Sequence, residues 1–294
     1  MQPKKSLGQN FLRDETVLAK IIKAANLSAD DFVVEIGPGE GVLTKELVGN
    51  SKKIICIEKD ENLAKKLADN FQFSIFNFQS ILNDPIFNSQ NKTAIITGDV
   101  LKINLPELIK LNNFKNYKVV ANIPYYITSP IIRLFLETKY PPKEMILMVQ
   151  KEVAERITAK PGQMSILAVS VQYYARPELL FYVDRKAFWP VPEVDSTVIR
   201  ITPLPSPVAS TRHPLPITGE EDNERKKFFK IVKAGFSAKR KTLLNNLSNG
   251  LHISKTEVKE ILEKAGIKPT QRAQELGIED WEIITREISA NQSE

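Results

Sequence analysis

Phe32-Val33-Val34-Glu35-Ile36-Gly37-Pro38-Gly39-Glu40-Gly41 is the stretch on which the fold turns. A short apolar run bounded by glycine reads as a buried strand. The glycines at 37, 39 and 41 permit positive φ and let the backbone approach a ligand closely. A helix begins near Val42, so its unpaired N–H groups face the same turn. Strand, glycine turn and helix in that order form a nucleotide cradle of an open α/β sheet. A dinucleotide fingerprint, G-x-G-x-x-G, needs its third glycine where Val42 stands. The spacing found, with Glu35 two residues ahead of Gly37, suits S-adenosylmethionine rather than NAD.

Working outward, the next strand, Lys53 to Ile57, ends at Glu58, 17 residues beyond Gly41. A carboxylate at that strand end can accept hydrogen bonds from both ribose hydroxyls. The plainer role is a helix-start acid beside Asp60 and Glu61, and the preceding loop favours the ribose. A third strand, Thr93 to Thr97, leads to Asp99, which either accepts an adenine amino group or caps the next turn. A fourth, Lys118 to Ala121, delivers Asn122. Ligands bind at the carboxyl ends of parallel strands, so Gly37, Glu58, Asp99 and Asn122 should converge. Upstream, residues 4–12 (KKSLGQNFL) precede a helix over Glu15 to Ala25 capped by Asp14. Asn10 and the Leu12 backbone either touch a ligand at the mouth of the cradle or simply turn into that helix. Residues 72–92 show no period and read as an insertion.

Asn122-Ile123-Pro124-Tyr125-Tyr126 carries the chemistry. The exocyclic nitrogen of adenine is a poor nucleophile because its lone pair is delocalised. The Asn122 oxygen and a main-chain carbonyl at Ile123 or Pro124 can accept its two N–H groups and free that pair. Pro124 fixes its own φ and holds Ile123 extended. Tyr125 offers a face for an unstacked base. The alternative is a strand-ending Asx or proline turn with Tyr as core filler. In Phe188-Trp189-Pro190-Val191-Pro192 the prolines hold a stiff loop, where Phe188 could cover the second face of the base and Trp189 reads as a hydrophobic plug. Met145 to Val149 reads as a fifth strand, and Leu179 to Val183 with Thr197 to Ile201 as a closing pair.

Residues 203–219 carry five prolines and read as a linker. Beyond them, Arg225 to Lys241 holds eight basic residues and no acid. Such a run is usually a solvated face; next to a base-handling site, its single sign favours phosphate contacts. The 294 residues carry a net charge of +6 and one cysteine, Cys56, inside an apolar run. The amino terminus lacks the apolar segment of a signal peptide, and no run approaches the roughly 20 apolar residues of a membrane span. These features point to a cytoplasmic protein. His213, His252 and Cys56 make no metal-ligand spacing.

SLGQNFL from Ser6, VEIGPGEGVLT from Val34, GDVL from Gly98, NIPYYITSP from Asn122, QKEVAERI from Gln150, FWPVPEVDS from Phe188 and FSAKRKTLLNNL from Phe236 form an ordered set. The chain resembles the bacterial small-subunit (16S) ribosomal RNA adenine-N6 dimethyltransferases, the kasugamycin-resistance methyltransferase family, over most of its length. The resemblance implies an α/β chain: a Rossmann-like class I methyltransferase domain over 1–203, with a mostly parallel seven-stranded sheet and the insertion at about 72–92. A linker over 204–219 and a small all-α RNA-binding domain over 220–294 would follow. It implies transfer of methyl groups from S-adenosylmethionine to N6 of two adjacent adenosines in a hairpin loop near the 3′ end of small-subunit ribosomal RNA. The partner would be the immature 30S subunit; the protein would act as a monomer, without metal or membrane. Carried across, the cofactor contacts are Asn10, Leu12, Gly37, Glu58, Asp99 and Asn122. Asn122, Tyr125 and Phe188 would handle the base, and Arg225, Lys226, Lys239, Arg240 and Lys241 the RNA. Glu193 stands where the family often has lysine, and Pro161 to Ser165 replaces a longer stretch.

Overall fold

The computed structural model describes residues 3–4, 7–77, 86, 92–114, 116–204 and 220–291. Contacts divide the chain into two compact units, Met1–Ala154 with Tyr174–Leu215, and Glu155–Tyr173 with Pro216–Glu294. In chain order the elements are β1 (Phe11–Leu12), α1 (Glu15–Ala25), β2 (Phe32–Ile36), α2 (Val42–Gly49), β3 (Lys53–Glu58), α3 (Glu61–Phe71), β4 (Ser74–Asn77), β5 (Thr93–Thr97), α4 (Leu105–Leu111) and β6 (Lys118–Asn122). They continue with α5 (Thr128–Leu136), β7 (Glu144–Gln150), α6 (Lys151–Ile157), α7 (Ile166–Gln172), β8 (Ala175–Val183), β9 (Phe188–Trp189), β10 (Ser196–Pro203), α8 (Glu220–Gly235), α9 (Leu243–Leu251), α10 (Lys255–Lys264) and α11 (Ile278–Asn291).

In the first unit the sheet runs β4-β5-β3-β2-β6-β7-β10-β8. Neighbours are parallel from β4 to β7, and β10 is antiparallel to both β7 and β8. Eight strands stand where seven were expected, because Ser74–Asn77 adds a parallel edge beside β5. That edge strand is nowhere fully buried, so it lacks the apolar run that marks its neighbours. Of the rest of the expected insertion, Gln72, Phe73, Ile86 and Lys92 are described and the remaining residues are not. So do residues 205–219 of the expected linker.

Strands β2, β3 and β6 are buried along almost their whole length, as parallel strands covered on both faces must be. The strand order reverses at β2, so a crevice opens between the carboxyl ends of β2 and β6. At the opposite end of β6 the buried Lys118 ammonium donates to the carbonyls of Ala25 (2.9 Å) and Asn26 (2.8 Å) and pairs with Glu144 at 3.0 Å. It ties the end of α1 to the start of β6. Asp14 caps α1 by accepting from the Thr16 and Val17 N–H groups.

In the second unit Trp281 is fully buried, and its ring lies against Gly235, where a Cβ would collide with it. Glu155–Tyr173 belongs to this helical unit, although the expected first domain ran unbroken to 203. The Gln274 carbonyl accepts from the N–H groups of Gly162 and Met164, and Tyr173 stacks on Phe228 with centroids 4.5 Å apart.

Candidate active site

A cleft opens where the strand order reverses, walled by Gly37, Pro38 and Gly39, by Glu58 and Asp99, and by Asn122 to Tyr126. Leu7 to Leu12 closes one side. The four expected strand ends therefore converge.

The glycine turn is set by backbone and carboxylate together. Gly37, Gly39 and Gly41 all have positive φ. Gly37 N–H donates to the Ile57 carbonyl at 2.9 Å, and Gly39 N–H donates to Glu58 Oε2 at 3.1 Å. A Cβ on Gly39 would press on the Phe11 ring at 3.1 Å, so the lead-in segment lies directly on the turn. Arg13 pairs with Glu40 at 2.6 Å, and Lys4 with Asp60 at 2.8 Å, anchoring that segment at two further points.

Glu58 Oε1 accepts the Asp60 N–H at 2.8 Å. Each carboxylate oxygen thus holds one backbone N–H and keeps acceptor capacity for a hydroxyl. Burial pushes this carboxyl up, against the pull of the Asp60 and Gly39 N–H groups. Asp99 does cap the turn after β5: Oδ1 accepts the Leu101 N–H at 3.1 Å. Its Oδ2 pairs with Lys59 at 2.9 Å. Burial raises the Asp99 carboxyl, but Lys59 and the Leu101 N–H outweigh it and hold it below the usual range. Glu35 also lines the cleft and is 1% exposed; burial pushes its carboxyl up to about 8. The Cys56 thiol donates to Glu35 Oε2 at 3.5 Å.

Asn122 Nδ2 donates to the Asn10 carbonyl at 3.2 Å, which leaves Oδ1 as the acceptor. The Asn10 amide itself donates to the Gly8 carbonyl at 3.3 Å, and the Leu12 side chain is buried. Pro124, at φ −54°, begins a single 3₁₀ turn, Tyr125–Ile127, whose Ile127 N–H donates back to the Pro124 carbonyl. Tyr125 is half-buried on the cleft wall, and its hydroxyl shares a 2.7 Å hydrogen bond with Ser196 Oγ.

Phe188 is 2% exposed and shares a core cluster with Leu12, Val17 and Ile21, of which Leu12 and Ile21 also line the cleft. The reason is register. β1 pairs antiparallel with β9, Leu12 opposite Phe188, and successive strand residues face opposite ways. Phe188 turns inward, and Trp189, read as a plug, is 47% exposed with the Arg13 guanidinium 5.9 Å from its ring centroid.

Lys59, Lys4 and Ser196 were not singled out from sequence. Lys59 follows Glu58 directly, but nothing in the sequence gives its partner 40 residues on.

In the second unit, Arg225 and Lys226 lie on α8, and Lys239, Arg240 and Lys241 are exposed in the turn before α9. The buried Asn246 amide braces that turn, donating to the carbonyls of Gly235 (2.6 Å) and Ala238 (3.0 Å). Among the described residues no group of three His, Cys, Asp or Glu side chains could hold a metal. No described helix is long and apolar enough to cross a membrane.

The family description "Ribosomal RNA adenine dimethylase" matches residues 1–289. The chain belongs to that family. This dimethylase is 40% identical to the ribosomal RNA small subunit methyltransferase A of Dehalococcoides mccartyi over 291 residues, covering 99% of this chain and 90% of the relative. It is 40% identical to that of Alkaliphilus metalliredigens over 293 residues, covering 98% and 92%. Among solved structures it is similar to a dimethyladenosine transferase from Plasmodium falciparum, with TM-score 0.73, 25% identity and 96% and 98% of the two chains covered. It is also similar to the 23S rRNA methyltransferase ErmE, with TM-score 0.68, 26% identity and 95% and 100% covered. The dimethylase is thus a Rossmann-like, S-adenosylmethionine-dependent ribosomal RNA (adenine-N6,N6)-dimethyltransferase. The residues of the cleft fit that cofactor in kind: Gly37 and Gly39 line it without side chains, and Glu58, held by the Gly39 and Asp60 N–H groups, keeps acceptor capacity for a hydroxyl.

Proposed function

We propose that this dimethylase modifies N6 of two adjacent adenosines in the 3′-terminal hairpin loop of small-subunit ribosomal RNA, acting as a monomer on the immature 30S subunit in the cytoplasm. The 40% identity to proteins named for the small subunit supports this reading over a large-subunit target. The observation that carries the chemistry is the Asn122 amide, held through Nδ2 by the Asn10 carbonyl so that Oδ1 is the acceptor.

S-adenosylmethionine supplies an electrophilic methyl group. The chain's own residues do the rest. Asn10, Leu12 and Gly37 shape the cradle, Glu58 accepts the ribose hydroxyls, and Asp99, already fixed by Lys59, accepts the adenine amino group. Asn122 Oδ1 accepts one N6–H of the target base, and a carbonyl at Ile123 or Pro124 accepts the other. These acceptors tighten as the nitrogen becomes tetrahedral, which stabilises the transition state more than the ground state. Tyr125 holds the base in line with the donor. The methylated nitrogen is acidic and releases its proton to solvent, so no strong base is needed. Arg225, Lys226, Lys239, Arg240 and Lys241 hold RNA phosphates.

The test is incubation with unmethylated small subunits and tritiated cofactor, followed by nucleoside analysis. Dimethyladenosine at two neighbouring positions is expected. Asn122→Ala should lower turnover by about 100-fold or more while RNA affinity stays within about twofold. Equal turnover in the variant would remove Asn122 from the chemistry.

A further inference from the structure

Phe188 to Ser196 begins in the core and ends against Tyr125 of the cleft wall. Ser196 is fully buried, yet its hydroxyl meets that of Tyr125 at 2.7 Å, across 71 residues of sequence. We infer that Ser196 is a positioning residue for methyl transfer: its hydroxyl holds the far end of the Tyr125 ring on which the target adenine lies. This rests on the proposal that Tyr125 carries that base.

Three observations support it. Ser196 is an immovable anchor, because its backbone is laddered on both sides, opposite Gln150 of β7 and Val183 of β8. The approach to it is fastened as well. The Asp195 carbonyl accepts the Lys151 N–H at 3.0 Å, and Asp195 Oδ1 accepts the Arg185 N–H at 3.1 Å. Tyr125, by contrast, sits on a single 3₁₀ turn with no side-chain cap and is only half-buried, so the far end of its ring gains most from a fixed partner. The Ser196 hydroxyl is that partner. In-line displacement is sensitive to small misplacements, so the position of the ring bears on turnover more than on binding.

The experiment compares Ser196→Ala, Tyr125→Phe, the double variant and Tyr125→Ala on unmethylated small subunits. Calorimetry with S-adenosylmethionine confirms that each is folded and loaded. Ser196→Ala and Tyr125→Phe should each lower kcat by about five- to tenfold, with KM for the subunit within about twofold. Because both remove one bond, the double variant should be no slower than either single one. Wild-type kcat in both single variants, or losses that multiply in the double variant, would overturn the role of Ser196. If those two keep full turnover while Tyr125→Ala is inactive, only this inference fails. Full turnover in Tyr125→Ala would remove the parent reading and this one together.

Discussion

Glu35 shows at the scale of one residue what burial in the cleft wall does to a carboxyl group. Burial first, and the like charge of Glu58 in addition, push its carboxyl up to about 8, although Thr44 and Cys56 pull it down. The folded protein therefore binds a proton here that the unfolded chain releases near the ordinary value of 4.5. The associated stability is fully present below that ordinary value and is lost as pH rises through about 8. One proton gives a slope of up to about 1.4 kcal/mol per pH unit. Glu35→Gln keeps the shape without the titration, so its stability should fall less than the wild type's between pH 5 and pH 8. Urea midpoints across that range, without cofactor, check this. Parallel curves would mean that Glu35 titrates normally. Glu58 is raised as well, with the same sign, and it remains in both proteins.

At the scale of elements, the turn between β2 and α2 depends on atoms that are missing. Gly41 has φ +85°, and a Cβ there would run into Leu67 and Phe71 of α3. Gly41→Ala combines left-handed strain, about 1–2 kcal/mol, with overpacking of about 1–3 kcal/mol. It should lower stability by about 2–5 kcal/mol in urea unfolding and weaken cofactor binding with it. A variant as stable as the parent would mean that α3 yields freely. This turn was legible in the sequence because glycine spacing reports backbone conformation directly. The convergence of Glu58, Asp99 and Asn122 was legible too, since buried parallel strands announce their own ends. Phe188 and Trp189 were not. Which of two neighbouring aromatics turns inward depends on register with Phe11-Leu12, and that pairing spans more than 170 residues. β4 escaped notice because an edge strand carries half the apolar signal.

At the scale of the molecule, the chain leaves its first unit at Ala154 and returns at Tyr174, an excursion that composition does not reveal. The bonds that place it, from Gly162 and Met164 to Gln274, join residues more than 100 positions apart. The charge asymmetry was plain by contrast: the net +6 includes a run from Arg225 to Lys241 of one sign. The helical unit turns part of that run into a shaped feature. Asn246 ties the end of α8 to the turn after it, so Lys239, Arg240 and Lys241 are held out on a braced loop. Bracing lowers the ordering cost of meeting phosphates. Each phosphate neutralised releases counterions, so log affinity falls with log salt by about 0.7–0.9 per contact. Replacing all three residues with alanine should weaken RNA binding at low salt and flatten the salt slope by about 2–3, without changing cofactor affinity. Fluorescence anisotropy over a salt series, with cofactor titration as the control, measures both. Asn246→Ala should weaken RNA binding while keeping the wild-type slope, because the charges remain and only their placement is loosened. An unchanged slope in the triple variant would assign the phosphate contacts elsewhere on the chain.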